Sequence, residues 1–267
     1  MSLSIEGKTA IVTGAANGLG LAIARHFAMK GANVMFADMD ESRLAKECTA
    51  AREEDSKMRY FAGDLRERLT LANLLSATID AFDRVDILVN GSRQLVWSDP
   101  LDVQDDSMDA ALGQNLMPAL RLSQIVAKRM IKQAEGQDGG QAGAIINITS
   151  IASRRTHRDL LGYSVSCAAL DQMTRSLAVA LAPHRIRVNG LAFGSVMSAS
   201  LKELLKATPD YRKEIEAHTP MGRIAAPTEI AEAVQFLASD GSGFMTGQIM
   251  TLDGGRTLLD PVAAPVH

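Results

Sequence analysis

Seven short apolar runs, separated by longer stretches of helical periodicity, do most to restrict what this chain can fold into. Lys8–Thr13, Asn33–Ala37, Met58–Ala62, Asp86–Asn90, Ala144–Thr149, Arg185–Leu191 and Gln248–Leu252 read as strands. Most do not alternate strictly between apolar and polar residues, as expected of strands covered on both faces. Helical patterns run between them over Leu19–Lys30, Glu41–Glu54, Glu67–Phe82, Ser107–Gln133, Leu161–Ala182 and Thr228–Leu237. Gly31 stands where a C-terminal glycine cap belongs, and Pro227-Thr228 opens the last helix, where proline is tolerated. Strand and helix alternating in this way imply right-handed crossovers, hence a parallel sheet with helices on both faces. The expected fold class is α/β, doubly wound, with seven strands in one domain spanning the 267 residues.

The composition narrows the classes of partner. Twenty-eight Lys and Arg against 31 Asp and Glu give a formal charge of −3, with no basic footprint for nucleic acid or a membrane surface. Two cysteines, Cys48 and Cys167, cannot build a disulfide framework and lack the spacing of a zinc site, so no metal is expected. Met1–Lys8 does not resemble a signal peptide, and no run approaches the roughly 18 apolar residues of a spanning helix. The expectation is a cytoplasmic protein. Residues 136–143 (GQDGGQAG) read as a flexible surface loop. The apolar tail 256–267 reads either as a frayed end or as a segment packed on a neighbouring subunit.

The first strand runs directly into Thr13-Gly14-Ala15-Ala16-Asn17-Gly18-Leu19-Gly20. Glycines at a strand-to-helix turn let backbone approach a pyrophosphate, and the following helix turns its free N–H groups toward the anion. The spacing is Gly-x-x-x-Gly-x-Gly, which points to a nucleotide. Asp38 closes the second strand, 18 residues past Gly20 (38 − 20). A carboxylate there can accept ribose hydroxyls and repels a 2′-phosphate. Neither Met39 nor Asn17 is basic, so NAD is expected in preference to NADP.

With these residues in place, the sequence resembles the short-chain dehydrogenase/reductase family from Lys8 to Gly255. Thr13 to Gly20 is similar to that family's cofactor motif, and Asp64-Leu65 sits where the family holds adenine. Asn90 resembles the start of its strand-four motif, and Asn115 its helix asparagine. Ser150 and Tyr163, 13 apart (163 − 150), are spaced as its catalytic serine and tyrosine are. Asn189 to Ser198, with Gly194, Val196 and Ser198, resembles its nicotinamide-binding segment, and Asp253-Gly254-Gly255 its C-terminal signature. The resemblance implies a Rossmann fold and hydride transfer between NAD(H) and a secondary alcohol or its ketone. It implies that Tyr163 exchanges the alcohol proton, that Ser150 holds the substrate oxygen, and that Asn115 holds a relay water through its backbone. It also implies a substrate lid near residues 195–220, and a homotetramer or homodimer. Met197, Met221, Leu201, Leu204 and Leu205 there could wall a substrate pocket or simply pack helices.

The resemblance breaks at three neighbouring places. The family's Tyr-x-x-x-Lys reads Tyr163-Ser164-Val165-Ser166-Cys167. Four residues apart on a helix share one face, so the cation expected beside the tyrosine is a thiol. A tyrosine of pKa about 10 is ionised only about one part in a thousand at pH 7, which hurts oxidation more than reduction. Asn90 is followed by Gly91-Ser92-Arg93 rather than Asn-Ala-Gly, and Phe193 stands for the proline before Gly194. Arg93 could fill the place of the missing lysine; the plainer expectation is that it turns to solvent. The basic cluster Arg154-Arg155-Thr156-His157-Arg158 reads as a solvated loop rather than a site for an anionic substrate. Two functions follow: an NAD-dependent oxidoreductase working best as a reductase, or a catalytically weakened dinucleotide-binding protein.

Overall fold

The computed structural model describes residues 2–49, 57–137 and 139–260. Among them seven parallel strands form one sheet in the order β3-β2-β1-β4-β5-β6-β7. The strands are β1 (Thr9–Thr13), β2 (Asn33–Asp38), β3 (Met58–Ala62), β4 (Ile87–Asn90), β5 (Gly143–Ser150), β6 (Ile186–Phe193) and β7 (Ile249–Leu252). The strand order reverses between β1 and β4, the switch point where doubly wound sheets open a crevice beyond the carboxyl ends of their strands.

Two cores explain why the strands read as unbroken apolar runs. Ala10 and Val12 of β1, Ile87 and Val89 of β4, and Ile146 and Ile148 of β5 point to one face. They pack there with Phe27 of α1 (Gly18–Met29), Leu44 of α2 (Glu41–Thr49) and Val234 of α9 (Pro227–Ala238). Ile11, Leu88 and Ile145 point to the other face. There they meet Leu74 of α3 (Arg68–Phe82), Val126 of α5 (Met117–Gln133) and Ala178 of α6 (Leu161–Leu181). Alternate residues enter opposite cores, so both sets must be apolar.

Gly31 takes φ +84° just past α1, and its amide and that of Ala32 return to the carbonyls of Ala28 and Phe27. This is the glycine cap expected there. The predicted continuous helix over Ser107–Gln133 is two helices, α4 (Ser107–Asn115) and α5, divided at Leu116. Pro118 explains the division: it has no N–H to offer the Gln114 carbonyl, and its ring crowds that carbonyl, yet it fits the first turn of a new helix. The predicted end of the second helix, beyond Thr49, and the tail from residue 261 lie outside the described residues. Two short helices, α7 (Ala199–Ala207) and α8 (Asp210–Ala217), join β6 to α9. No helix among the described residues is long and apolar enough to cross a membrane.

Candidate active site

The loop after β1 is built by backbone packed against backbone. Gly14 has φ +71°, and a Cβ there would lie 2.8 Å from the Gly91 carbonyl oxygen. A Cβ on Gly20 would lie 2.1 Å from the carbonyl oxygen of Gly14, and one on Gly91 2.7 Å from that of Thr13. The Thr13 hydroxyl accepts the amides of Gly91 (3.0 Å) and Ser92 (3.1 Å), tying the loop after β4 to the loop after β1. Asn17 is extended and exposed, and its side chain caps no amide of α1. The N-terminus of α1 from Gly18 and Leu19 onward is therefore open to an anion, beside a floor that bears no side chains.

Asp38 lies at the end of β2 beside this loop. One carboxylate oxygen accepts the Ala16 amide at 3.1 Å, and the other the amides of Met39 (2.7 Å) and Asp40 (3.2 Å). Three of its roughly four acceptor positions are thus used. Asp64 is clamped by the Arg66 guanidinium, which holds its carboxyl below the usual carboxylate range, and Leu65 beside it is buried. Asn90 turns inward: its amide donates to Ser123 (3.1 Å) and to Asn147 (2.8 Å), whose own amide reaches Thr174. Its side-chain nitrogen is thus already engaged within the fold.

The carboxyl ends of β5 and β6 and the first turn of α6 converge on the Tyr163 hydroxyl. Tyr163 is 4% exposed. The start of α6 is fixed by Ser98, whose hydroxyl accepts the Gly162 amide (3.1 Å) and the Ser107 hydroxyl (2.7 Å). Ser150 ends β5 in register with Phe193 of β6, and its oxygen accepts the Ala152 amide at 3.2 Å. Asn115 stands behind. Its side chain takes both backbone groups of Gln94, the amide at 2.7 Å and the carbonyl at 2.9 Å, and donates to Ser166 at 3.1 Å. Ser166 in turn donates to the Tyr163 carbonyl at 2.8 Å.

Arg93 does not follow the plainer expectation. Although the residue keeps much of its surface in solvent, its guanidinium turns inward and donates from Nη1 to the Tyr163 hydroxyl. Its central carbon lies 4.2 Å from the Phe193 ring centroid, a cation–π distance. Burial pushes the Tyr163 phenol above its ordinary value, with the Arg93 charge pulling it down, Cys167 adding to the rise and Ser150 opposing it. Cys167 is buried, and burial likewise pushes its thiol up, so this neighbour is neutral at pH 7.

On the far side, Gly194 continues β6, and a Cβ on it would come within 3.0 Å of the Asp253 Cβ. Val196 is buried and bridges to Ala225. The Ser198 hydroxyl caps α7 by accepting the Leu201 amide at 3.3 Å. Burial works against the Asp253 carboxylate, but the amides of Thr257 and Gly255 outweigh it and hold its pKa low. Arg256 then donates to Ser195 at 2.9 Å, strapping the C-terminal turn to the start of the α7 segment. Leu205 packs inward there, while Leu204 and Met221 are exposed. Within the basic cluster, Arg154 donates to Thr251 (3.2 Å) and Arg155 to the Thr257 carbonyl, so neither is simply solvated.

The structure therefore gathers Ser150, Tyr163, Cys167, Arg93 and Phe193 at one point and sets Asn115 behind them. Asp64, Asn90 and Ser198 spend their side chains on local bonds. Sequence reasoning passed over the Thr13 hydroxyl, the Ser98–Ser107 pair and Gly91 as a glycine required for close approach. Of these only Gly91, a glycine directly after an apolar strand, carried a visible signal.

Comparison with known proteins places the fold among solved and curated oxidoreductases. A family described as enoyl-(acyl carrier protein) reductase matches residues 14–257. The 7alpha-hydroxysteroid dehydrogenase of Escherichia coli K12 is 32% identical over 254 residues, covering 95% of this chain and 96% of that protein. A solved 7alpha-hydroxysteroid dehydrogenase complexed with NADH and 7-oxo glycochenodeoxycholic acid superposes with TM-score 0.86 at 32% identity, over 95% of each chain. A short-chain type dehydrogenase/reductase from Mycobacterium marinum superposes with TM-score 0.85 at 27% identity, covering 96% of this chain and 97% of that one.

Proposed function

The chain belongs to the short-chain dehydrogenase/reductase family, and we propose that it is an NAD(H)-dependent enzyme interconverting a secondary alcohol and its ketone, working best in the reductive direction. The observation that carries this reading is a buried tyrosine hydroxyl beside Ser150, at the end of a sheet whose first loop is a bare backbone cradle. The residues present fit a dinucleotide: Gly14, Gly18 and Gly20 leave room for a pyrophosphate at α1, and Asp38 sets a negative charge where a 2′-phosphate would fall. Bound there, a nicotinamide supplies the hydride donor or acceptor.

Tyr163 gives its proton to the substrate oxygen as the carbonyl becomes an alcohol, and Ser150 orients that oxygen by a hydrogen bond. Burial keeps the phenol in its acid form at neutral pH, the form that reduction requires. Asn115 keeps the loop after β4 and the first turn of α6 in register through Gln94 and Ser166. Residues 195–220 close over the substrate as a lid, with Ser198 setting where α7 begins. We place the enzyme in the cytoplasm as a homo-oligomer. An apolar groove of about 330 Å³ between α3 and α5, walled by Leu71, Met117, Leu120 and Ile125, supports a subunit contact there.

The neutral Cys167 thiol beside Tyr163 favours a second reading, a dinucleotide-binding protein with weakened catalysis. Consumption of NADH against a panel of ketones, sugars, sterols and acyl thioesters separates the two. The enzyme reading expects turnover of at least one carbonyl; tight NADH binding with no turnover across the panel selects the second.

A further inference from the structure

We propose that Arg93 is a catalytic residue of this enzyme: reaching in from the loop after β4, it supplies at the Tyr163 hydroxyl the positive charge that α6 does not carry at position 167. The inference rests on the oxidoreductase reading for its chemical meaning, but the contact itself does not depend on that reading.

Three observations converge. Arg93 Nη1 donates directly to the Tyr163 hydroxyl oxygen. The guanidinium is stacked 4.2 Å from the Phe193 ring, and Phe193 is itself 6% exposed, so the cation rests on a rigid floor. The backbone on either side of Arg93 is tied down: the Ser92 amide by Thr13 at 3.1 Å, and the Gln94 amide and carbonyl by Asn115 at 2.7 and 2.9 Å. A long side chain leaving a loop fixed at both neighbours has few directions open to it. Three groups act on the phenol from the elements around it: Arg93 from the loop, Cys167 from α6 and Ser150 from β5. Asp171, one turn beyond Cys167, acts on the thiol. The guanidinium brings a positive charge to the phenol, whereas the buried thiol is neutral at pH 7.

The chemistry follows from the direction of the hydrogen bond. Because Arg93 donates to the phenolic oxygen, the tyrosine's own proton points elsewhere and is left for the substrate oxygen. In reduction the carbonyl carbon would take the hydride that a bound reduced nicotinamide would supply as reductant, forming the new C–H bond as the carbonyl π bond opens onto oxygen. The Tyr163 O–H bond breaks as the substrate oxygen takes the proton. The phenolate left behind faces the guanidinium until solvent restores the proton. Without Arg93 that anion would be buried beside a neutral thiol.

The test reads the phenol directly, in protein without cofactor or substrate. Protein labelled with fluorotyrosine carries three tyrosines, Tyr60, Tyr163 and Tyr211, and Tyr163→Phe assigns the signal. Fluorine NMR against pH then gives the titration midpoint at position 163. Removing the nearby cation leaves desolvation opposed only by the Ser150 hydrogen bond, so Arg93→Met is expected to raise the midpoint by at least about one unit, and Arg93→Lys by less. Adding Cys167→Lys to Arg93→Met is expected to bring the midpoint back down. Arg93→Gln repeats the test should the methionine variant fold poorly, with circular dichroism as the control. A midpoint that stays put or falls in both neutral variants overturns the proposal. Failure of the oxidoreductase reading would show instead as absent nucleotide binding, or as NADH binding without turnover of any carbonyl, whatever the midpoint does.

Discussion

Replacing Tyr163 with phenylalanine is expected to lower turnover by about three orders of magnitude, within the range for losing a positioned general acid. NADH affinity should stay within about threefold, because the change removes one oxygen and leaves the ring in its packing. The ring is buried on α6, and the lost hydroxyl frees Arg93, whose surface is already partly in solvent, so no buried charge is stranded. Stability should change by only about 1 kcal/mol. Steady-state kinetics on any carbonyl the wild type reduces, with NADH titrated in parallel, checks both halves. Turnover reduced less than about tenfold would mean that another group delivers the proton.

Gly20→Ala is expected to have the largest structural effect for the smallest change. The added methyl would lie 2.1 Å from the Gly14 oxygen, 2.6 Å from its carbon and 3.0 Å from the Thr13 oxygen. All three are backbone atoms, so no flexible side chain can swing aside. Either α1 moves away from β1 or the loop opens, and in both cases the first-turn amides leave the cradle. The variant should lose about 3 kcal/mol or more, at the upper end of overpacking penalties, together with measurable NADH binding. Gly18→Ala makes the contrast. Nothing lies within 4 Å of a Cβ there, and φ is +55°. It should cost only about 1 kcal/mol of backbone strain. Thermal unfolding and calorimetric titration of both variants give the answer, and equal behaviour of the two would contradict the packing account.

The sheet was legible because both of its faces are covered. When Ala10 and Val12 enter one core and Ile11 the other, successive central positions of the strand are apolar and the run stands out. The break at Leu116 was harder to see, since the apolar pattern continues through it and only Pro118 marks it. Asp38 was found at its strand end because its place depends on local spacing. Arg93 was not legible in the same way: its direction is set by Phe193, one hundred residues further along (193 − 93), which no local pattern connects to it. The side chains of Asn90, Asp64 and Ser198 show the same limit at shorter range. Their sequence positions match a cofactor site, but Asn147, Arg66 and the Leu201 amide already engage them.

The central claim is that this fold binds NAD(H) for hydride transfer, with Asp38 excluding the phosphorylated form. Calorimetric titration of the purified protein with NADH and with NADPH tests it most directly. The account predicts NADH binding at about micromolar concentrations and NADPH at least about tenfold weaker, a difference of about 1.4 kcal/mol or more. That gap should close in Asp38→Ser, where the charge facing the ribose is gone. Binding of neither nucleotide, or tighter binding of NADPH by the wild type, would contradict it.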